Sequence, residues 1–280
     1  MKNNRPSNTA LGVSVVRTVH QLIDSRPLIL DDPISPLLLS RETIEGIQEN
    51  PTHHQTLEAR GLRSHVVLRS RYAEDQMQQA IPSGIAQFVN VGAGFDTFCL
   101  RQPQWAENLR IIEVDHPATQ AAKREYFSAR GLSFPENTDF VPLDLEKGDL
   151  FEELAKGRIV LNAPTFFSCL GVLAYLSLAA IEKVLRSVAG MAAGSRLVLA
   201  FAPKSSDVTT EGQSTAAERA AEQGEPWLTY FTMQEIEGML RESGFSAVYF
   251  LTPGEAAERY YRGRTDLPAP RRTRLCLAEV

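Results

Sequence analysis

The chain has 280 residues, 43% of them hydrophobic, and a formal net charge of -5 at pH 7. This length is sufficient for one large domain with a sizeable core. The sequence has no long basic run, which argues against a nucleic-acid partner because phosphate binding needs concentrated Lys and Arg. It has no apolar stretch of membrane-spanning length and no signal peptide, so we expect a cytoplasmic protein without a membrane partner. Three scattered cysteines without CxxC spacing predict neither a disulfide framework nor a metal site.

The N-terminal part of the chain is predicted to be helical. Apolar residues between Ala10 and Ser25 recur at close to helical spacing. Asp31-Asp32-Pro33 is typical of a helix start, and a further helical stretch runs from Thr56 to Ile81. We therefore divide the sequence into a helical cap, residues 1–81, and a core, residues 82–280.

Beyond residue 84, short apolar runs alternate with helical stretches. This alternation indicates an α/β fold with a mostly parallel sheet and helices on both faces. The predicted strands are Ile85–Val91, Leu109–Val114, Asp139–Leu143, Thr165–Leu170, Arg196–Phe201, Ala247–Leu251 and Thr273–Val280. The last two have no clear crossover helix between them, so we expect an antiparallel pair at one edge of the sheet.

Two local patterns in the C-terminal third also carry predictions. Lys204 to Pro226 has few large apolar residues and is expected to be a long loop, either disordered or a lid. Thr232-Met233-Gln234-Glu235 is a capping-box pattern, which predicts a helix that ends near Gly244.

The first predicted strand runs directly into Gly92-Ala93-Gly94. Glycines at this position allow the backbone to approach a ligand closely, and ligands of open α/β sheets bind at the carboxyl ends of the strands. An ordinary tight turn would explain the glycines alone equally well.

The next two predicted strands end in acids, Asp115 and Asp144. A carboxylate at the first position can accept hydrogen bonds from both ribose hydroxyls, and one at the second can accept from an adenine amino group. Each could instead be a helix cap or a turn residue. Together with the glycine loop, the two acids predict a site for a nucleoside.

The residues after Gly94 bear on which nucleoside binds. A dinucleotide enzyme would have a third glycine here and would place the pyrophosphate at a helix N-terminus. This chain has Phe95-Asp96-Thr97, and an acid at Asp96 would repel a pyrophosphate but tolerate a cationic ligand. The pattern favours S-adenosylmethionine, and a nicotinamide-dependent oxidoreductase is the alternative.

Motifs along nearly the whole chain resemble the leucine carboxyl methyltransferase-like family, which includes many bacterial S-adenosylmethionine-dependent methyltransferases and polyketide O-methyltransferases. The most specific blocks are Gly-Ala-Gly-x-Asp-Thr at 92–97 and Glu-Val-Asp-x-Pro at 113–117. The other matching segments are Thr9-Ala10-Leu11-Gly12-Val13 with Arg17, Asp32-Pro33, Arg69-Ser70-Arg71 through Asp75, Arg101, Lys123, Asp144-Leu145, Gly171-Val172-Leu173 with Tyr175-Leu176, and Gly244-Phe245. The resemblance implies a class I methyltransferase fold, Rossmann-like, with a seven-stranded sheet, and S-adenosylmethionine as the cofactor.

The resemblance also implies which residues contact the cofactor. In the family an Arg before the first strand holds the methionine carboxylate, and Arg69 matches it best, with Arg71 second. The glycine loop, Gly92, Ala93 and Gly94, lies against the methionine part. The Asp of Glu-Val-Asp holds the ribose and the Asp-Leu pair holds the adenine, which point to Asp115 and to Asp144 with Leu145.

One position departs from the family. A Glu often stands directly before the Gly-Val-Leu-x-Tyr-Leu segment, near the cofactor, and this chain has Leu170 there. We include Leu170 in the cofactor site but expect a carboxylate contact to the ammonium region to be missing. A non-catalytic cofactor-binding relative is therefore a second alternative.

The expected acceptor is a small molecule with a carboxylate or a hydroxyl, such as a polyketide-type metabolite. We favour the carboxylate, since it is ionised at neutral pH and needs no general base, and no residue of the sequence stands out as catalytic. Arg17, His20, Tyr230 and Tyr261 are candidates to contact the acceptor, although surface charge or packing would explain each of them. The cap, residues 1–81, is expected to contribute to both the cofactor and the substrate sites.

Overall fold

Seven strands form one mixed sheet in the structure, a computed structural model that describes residues 7–204 and 214–280. The strands are β1 (Gln87–Val91), β2 (Arg110–Asp115), β3 (Thr138–Pro142), β4 (Thr165–Cys169), β5 (Arg196–Ala200), β6 (Ala247–Phe250) and β7 (Leu275–Glu279). Their order is β3-β2-β1-β4-β5-β7-β6, with β1 to β5 parallel and β7 antiparallel to both neighbours. The predicted α/β fold with an antiparallel C-terminal edge is confirmed.

The strand order places a ligand crevice next to β1. From β1 the chain continues outward to β2 and β3 on one side, and it returns to β4 and β5 on the other. The loops after β1 and β4 therefore diverge, which opens a crevice at their carboxyl ends. Alternate residues of β1 face opposite sides of the sheet: Val89 and Val91 belong to one apolar cluster, and Phe88 belongs to the other.

Helices cover both faces of this sheet. They are α1 (Asn8–Ile23), α2 (Arg41–Glu49), α3 (Leu57–Ala80), α4 (Phe98–Arg101), α5 (Pro117–Ser128), α6 (Leu150–Ala155), α7 (Leu178–Ala189), α8 (Ser214–Glu222), α9 (Met233–Ser243) and α10 (Pro253–Tyr260). The predicted capping box is present, with Thr232 and Glu235 bonded reciprocally, and Gly244 ends α9 at φ 113°. Within the described ranges, no helix has the length and apolar character needed to cross a membrane.

The prediction of a loop from Lys204 to Pro226 is wrong in part, because this stretch contains α8. The run of alanines with Glu and Arg from Ala216 to Glu222 has high helix propensity, which outweighs the lack of large apolar side chains. Residues 205–213, which the same prediction covered, lie outside the described residues. Helix α10, between β6 and β7, was not predicted.

The helix start expected at Asp31-Asp32-Pro33 is also wrong. A short 3-10 turn at Ser35–Leu38 follows this segment, and α2 begins only at Arg41. Asp32 is fully buried instead, and its carboxylate accepts hydrogen bonds from the Ser35 N–H at 3.1 Å and the Thr97 hydroxyl at 2.7 Å. Asp32 therefore does not cap a helix but forms a tertiary contact with the loop that follows β1.

Two of the N-terminal helices, α1 and α3, lie next to the crevice. Helix α3 packs on β4 and β5, and α1 packs on α3 and on the 3-10 turn at Ser35–Leu38. On α3 the residues Val66, Ala73 and Met77 are buried, at spacings that place them on one face. One side of α3 therefore forms a wall above the carboxyl ends of the central strands.

A fully buried ion pair joins β2 to α5. The Lys123 ammonium lies 2.6 Å from the Glu113 carboxylate, and their side chains are only 1% and 2% exposed. The same ammonium donates to the backbone carbonyl of Asp96 at 2.6 Å. The pair therefore supports the loop after β1 from below.

We expect Lys123→Met to lower the free energy of unfolding by about 3–5 kcal/mol, because it leaves the Glu113 charge buried and unpaired. The double variant Glu113→Leu/Lys123→Met should recover much of this loss, since no charge is then stranded. Denaturant unfolding measures both. The control is Arg41→Met in the exposed Arg41–Glu45 pair, which should cost less than about 1 kcal/mol. Equal losses in the single and double variants would contradict this account.

Candidate functional site

One large cavity lies over the carboxyl ends of β1, β2, β4 and β5. Its volume is about 1360 Å³, and α1, α3 and the segment before β7 complete its walls. Pockets for single small ligands are typically about 300–1,000 Å³. The cavity is therefore large enough to hold a cofactor and an acceptor together.

The glycine loop forms the floor of this cavity. Gly92 adopts φ 70°, and a Cβ added there would lie 2.1 Å from Cγ2 of Val172. Gly94 also has positive φ, at 50°, and both glycines line the cavity with Ala93. The prediction that this loop needs glycine is thus explained by its backbone conformation and by its close contact with the segment after β4.

Asp115 ends β2 at the edge of the cavity and is 9% exposed. Its carboxylate accepts hydrogen bonds from the N–H of Gly94 and, at 2.6 Å, from the N–H of His116. Burial raises the pKa of Asp115, and these two bonds offset only part of the effect. The side chain is fixed in place, and its oxygens keep free lone pairs for a hydroxyl donor.

Asp144 and Leu145 follow β3 and line the same cavity. Partial burial acts to raise the pKa of Asp144, but its bonds to Lys147 and to the Glu146 N–H outweigh this, so the pKa is lowered. The Lys147 ammonium lies 2.9 Å from the carboxylate. The structure therefore brings the three predicted strand-end groups, the glycine loop, Asp115 and Asp144, to one cavity.

Arg69 lies on α3 and faces the cavity beside Gly171. Gly171 has φ 77°, and a Cβ there would lie 2.5 Å from Nη1 of Arg69. The Arg69 Nε is buried without a hydrogen-bond partner, and no carboxylate of residues 7–204 or 214–280 forms an ion pair with this guanidinium. Burial lowers the pKa of Arg69 to about 10, so it stays charged at neutral pH.

Arg69 is half-buried, and a cation withdrawn from water without an anion is costly, so this guanidinium suits a ligand carboxylate. The carboxylate of S-adenosylmethionine meets that requirement. Arg71, the second choice from the sequence, lies outside the cavity and pairs with Asp75 at 2.7 Å. Of the two arginines, only Arg69 is placed to contact a ligand here.

Arg17 lies on α1, is 4% exposed and lines the cavity close to Arg69. Its guanidinium pairs with Asp96 and donates to the Ser70 hydroxyl at 2.8 Å, while Nε and Nη1 have no hydrogen-bond partner. Its charge contributes to the lowered pKa of Arg69, so the two guanidinium groups are near neighbours. Arg17 therefore lies in the part of the cavity around Arg69, and its contact with the acceptor stays a prediction.

The negative charge of Asp96 is balanced by cations of the protein itself. Burial acts to raise its pKa, but Arg17, Arg101 and Lys123 hold the pKa well below its usual value. Its carboxylate also accepts from the Phe98 N–H at 2.7 Å. Arg17 compensates the charge of Asp96, which weakens the electrostatic argument against a pyrophosphate at this loop.

The other three acceptor candidates do not reach the cavity. His20 is fully buried; its Nδ1 lies 2.7 Å from Asp24, and its Nε2 accepts from the Leu30 N–H at 3.3 Å. Tyr261 is 5% exposed and is hydrogen-bonded to Ser64. Tyr230 packs against Trp227, with ring centroids 6.0 Å apart. His20 and Tyr261 are corrected because internal partners satisfy their polar groups, and Tyr230 is corrected because it lies outside the cavity lining.

His65 lines the cavity and was not predicted to do so. It lies four residues before Arg69, which places both on one face of α3. Burial and the charges of Arg69 and Arg274 lower the pKa of His65 to about 3, so the imidazole is neutral. The i, i+4 spacing from Arg69 was the signal in the sequence that could have identified it.

The residues after α8 cover one side of the cavity. The Glu225 carboxylate accepts from the Ser7 hydroxyl and the Asn8 N–H, both at 2.9 Å, and from the Thr9 hydroxyl. Trp227, which lines the cavity, donates its indole N–H to the Tyr175 hydroxyl at 3.1 Å. These bonds tie the segment to the start of α1 and to the loop after β4.

Leu170 is half-buried and also lines the cavity, directly before Gly171. Polar groups nearby come from the strands themselves: the Ser168 hydroxyl donates to the Asn90 side chain at 3.0 Å, and both residues line the cavity. The cavity wall at this point is thus apolar at Leu170 and neutral at the two strand residues.

The leucine carboxyl methyltransferase family profile matches residues 10–189. YktD of Bacillus subtilis strain 168, a protein assigned to the S-adenosyl-L-methionine-dependent methyltransferases, is 31% identical over 291 residues, covering 95% of each chain.

Two solved structures share the fold. A protein from Thermobifida fusca YX assigned as a methyltransferase has a TM-score of 0.58 at 17% identity, covering 99% of this chain and 96% of that one. PigF with SAH has a TM-score of 0.52 at 16% identity, covering 97% and 69%. At these identities the likeness shows the fold alone.

The family match covers more than half of the chain, and the similarity to YktD extends over nearly all of it. The nicotinamide-dependent oxidoreductase is not consistent with this result. The chain belongs to the leucine carboxyl methyltransferase family and is an S-adenosylmethionine-dependent methyltransferase.

Proposed function

We propose that the protein methylates a carboxylate oxygen of a small apolar acid, such as a polyketide-type metabolite. The observation that carries the proposal is the neutral imidazole of His65, which lines the cavity together with the positively charged Arg69 and Arg274. The proposal also assigns each part of the cavity to the cofactor or to the acceptor.

The cofactor part extends along the strand ends from Arg69 to Asp144. Arg69, supported by Arg17, holds the methionine carboxylate, since the buried Nε of Arg69 and the Nε and Nη1 of Arg17 have no hydrogen-bond partner in the protein. Asp115 accepts from the ribose hydroxyls, and Asp144 with Leu145 binds the adenine. The glycine loop lies beneath the centre of the ligand, where side chains are excluded.

The acceptor part lies on the other side of Arg69, toward the start of α3. Apolar side chains form much of its wall, and His65 and Arg274 face it. Its apolar lining comes from Val13, Val16, Leu57, Leu62, Trp227, Pro268 and Ala269. This lining suits an apolar body, and the nearby guanidinium groups favour an anionic end over a cationic one.

Within the described residues, no carboxylate of the cavity is free to act as a general base. Each has partners in the protein: Glu58 with Arg219, Glu74 with Arg101, Asp96 with Arg17, Asp115 with two backbone N–H groups, Asp144 with Lys147, Glu146 with Ser177, and Glu225 with the start of α1. His65, with a pKa of about 3, is too weak a base to deprotonate a phenol. An acceptor that is already ionised needs no such base.

When bound, the cofactor would supply a methyl group on a sulfonium. Attack by a carboxylate oxygen would form the oxygen–carbon bond as the carbon–sulfur bond breaks, giving a methyl ester and S-adenosylhomocysteine. The residues of the chain position the reactants and exclude water. Arg69 and Asp144 hold the two ends of the cofactor and Asp115 holds its ribose, while Arg274 orients the acceptor carboxylate and Trp227 covers one side of the cavity.

Asp115→Ala should reduce the affinity for S-adenosylmethionine at least about tenfold, because a charge-assisted hydrogen bond contributes about 1.5–3 kcal/mol. Asp139→Ala, on β3 and outside the cavity lining, is the control. Because burial raises the pKa of Asp115, wild-type affinity should also fall as the pH decreases toward that pKa. Calorimetry measures both effects, and unchanged affinity in a folded Asp115 variant would contradict the ribose assignment.

Arg69→Ala should weaken the binding of S-adenosylmethionine and S-adenosylhomocysteine by similar factors, since both carry the same carboxylate. Arg71→Ala is the matched control, because it removes the same side chain two residues away on α3 but outside the cavity. The test is a pair of calorimetric titrations for each variant. A larger effect at Arg71 than at Arg69 would refute the assignment.

The proposed reaction is tested with labelled S-adenosylmethionine and matched acceptors that differ only in carrying a carboxylate, a phenol or an amine. We expect label only in the product from the acid, and its release as methanol by mild alkali, as an ester requires. His65→Ala should retain transfer to the acid, because no proton is removed. Label in the phenol product alone, lost in His65→Ala, would overturn the proposal.

A further inference from the structure

We propose that the acceptor carries a second anionic group, held by Arg271 and Arg272 at the mouth of the cavity. Both side chains are exposed and line the cavity. The inference deepens the proposed function and rests on it, since it specifies the class of acid that enters.

The two arginines differ from others in the same region. Arg264 donates to the carbonyl oxygens of Pro27 and Ser25 and pairs with Asp266 at 2.6 Å. Arg60 donates to the carbonyls of Thr265 and Asp266. Those side chains hold the segment in place, whereas Arg271 and Arg272 form no hydrogen bond or ion pair with any described residue. They contribute nothing to the fold that would account for their position.

The segment that carries the two arginines is well anchored. The Ser64 hydroxyl donates to the Pro268 carbonyl at 2.8 Å, and the Thr273 hydroxyl donates to the Leu251 carbonyl. Pro268 and Pro270 restrict the backbone between these anchors. The guanidinium groups therefore lie at a fixed edge of the cavity. Ordering them around a ligand costs less conformational entropy than it would if they were on a free chain end.

Positive charges in the segment before β7 lie both at the mouth of the cavity and inside it. Arg271 and Arg272 are exposed, while Arg274 is half-buried and acts on His65 inside. The Cα atoms of Arg272 and Arg274 cannot be more than about 7 Å apart, because a chain advances at most about 3.3–3.6 Å per residue. A compact acid with two anionic ends could therefore place one end inside and the other at the mouth.

Two carboxylates of the cavity lining, Glu58 and Glu225, are engaged elsewhere. Glu58 pairs with Arg219, and Glu225 accepts from the start of α1. The whole chain is acidic, with a net charge of -5, so two cations at a cavity without a partner among the described residues form a local positive patch. Charges at the rim of a site act mainly on association and respond to salt.

The experiment compares straight-chain dicarboxylic acids of increasing length with their monoamides, which keep the chain and one carboxylate. A diacid offers two equivalent carboxylates, so its kcat/KM is halved before comparison. For at least one chain length we expect the corrected value to exceed that of the monoamide about tenfold or more, as a single charge-assisted contact allows. The advantage should shrink as the salt concentration rises.

Arg271→Ala/Arg272→Ala should abolish this advantage and leave both kcat/KM for the monoamides and the affinity for S-adenosylhomocysteine unchanged. Arg262→Ala is the control, since this exposed arginine lies outside the cavity lining. If neither acids nor monoamides are methylated, the proposed function fails and the inference with it. If both are methylated and no chain length shows an advantage, or the advantage survives in the double variant, the inference alone is overturned.

Discussion

The ion pair between the buried Arg17 and the half-buried Asp96 is the contact on which the arrangement of the site depends. It joins α1 to the loop after β1, and Arg17 also lies 3.6 Å from the buried Asp32. Burying such charges is costly unless they are paired and hydrogen-bonded. The N-terminal helices therefore cannot shift relative to the glycine loop without stranding a charge, which fixes the register between the cap and the sheet.

That constraint also sets the position of α3, which forms one wall of the cavity. Ser70 accepts from Arg17, so the middle of α3 is held against α1. Arg69, one residue earlier, then faces the strand ends, and His65, one turn earlier, faces the acceptor side. The helix thus presents a cation to the proposed cofactor site and a neutral group to the proposed acceptor site. Because one turn has 3.6 residues, the two side chains lie on the same face of α3, one turn apart along its axis.

Much of this could be read from the sequence, since glycine and strand-end acids are constrained by local rules. The turn at Gly92 admits no Cβ, and the carboxyl ends of parallel strands meet at one edge, so Asp115 and Asp144 were placed correctly in the cavity. The errors concern long-range partners. Nothing local shows that His20 is satisfied by Asp24 and Leu30, or that Asp96 is neutralised from a helix 79 residues away.

The electrostatics of the acceptor part also bear on turnover. In the proposed reaction a carboxylate enters a chamber where burial and the charges of Arg69 and Arg274 keep His65 neutral, and this carboxylate becomes an uncharged ester group. The attraction that Arg274 exerts on the reacting carboxylate is therefore lost when the ester forms. The same transfer removes the positive charge of the sulfonium, so the ester group is attracted to neither Arg274 nor the spent cofactor. The inner contact is thus lost in the reaction itself, and release is opposed by the apolar walls and by the contact of the second anionic group with Arg271 and Arg272.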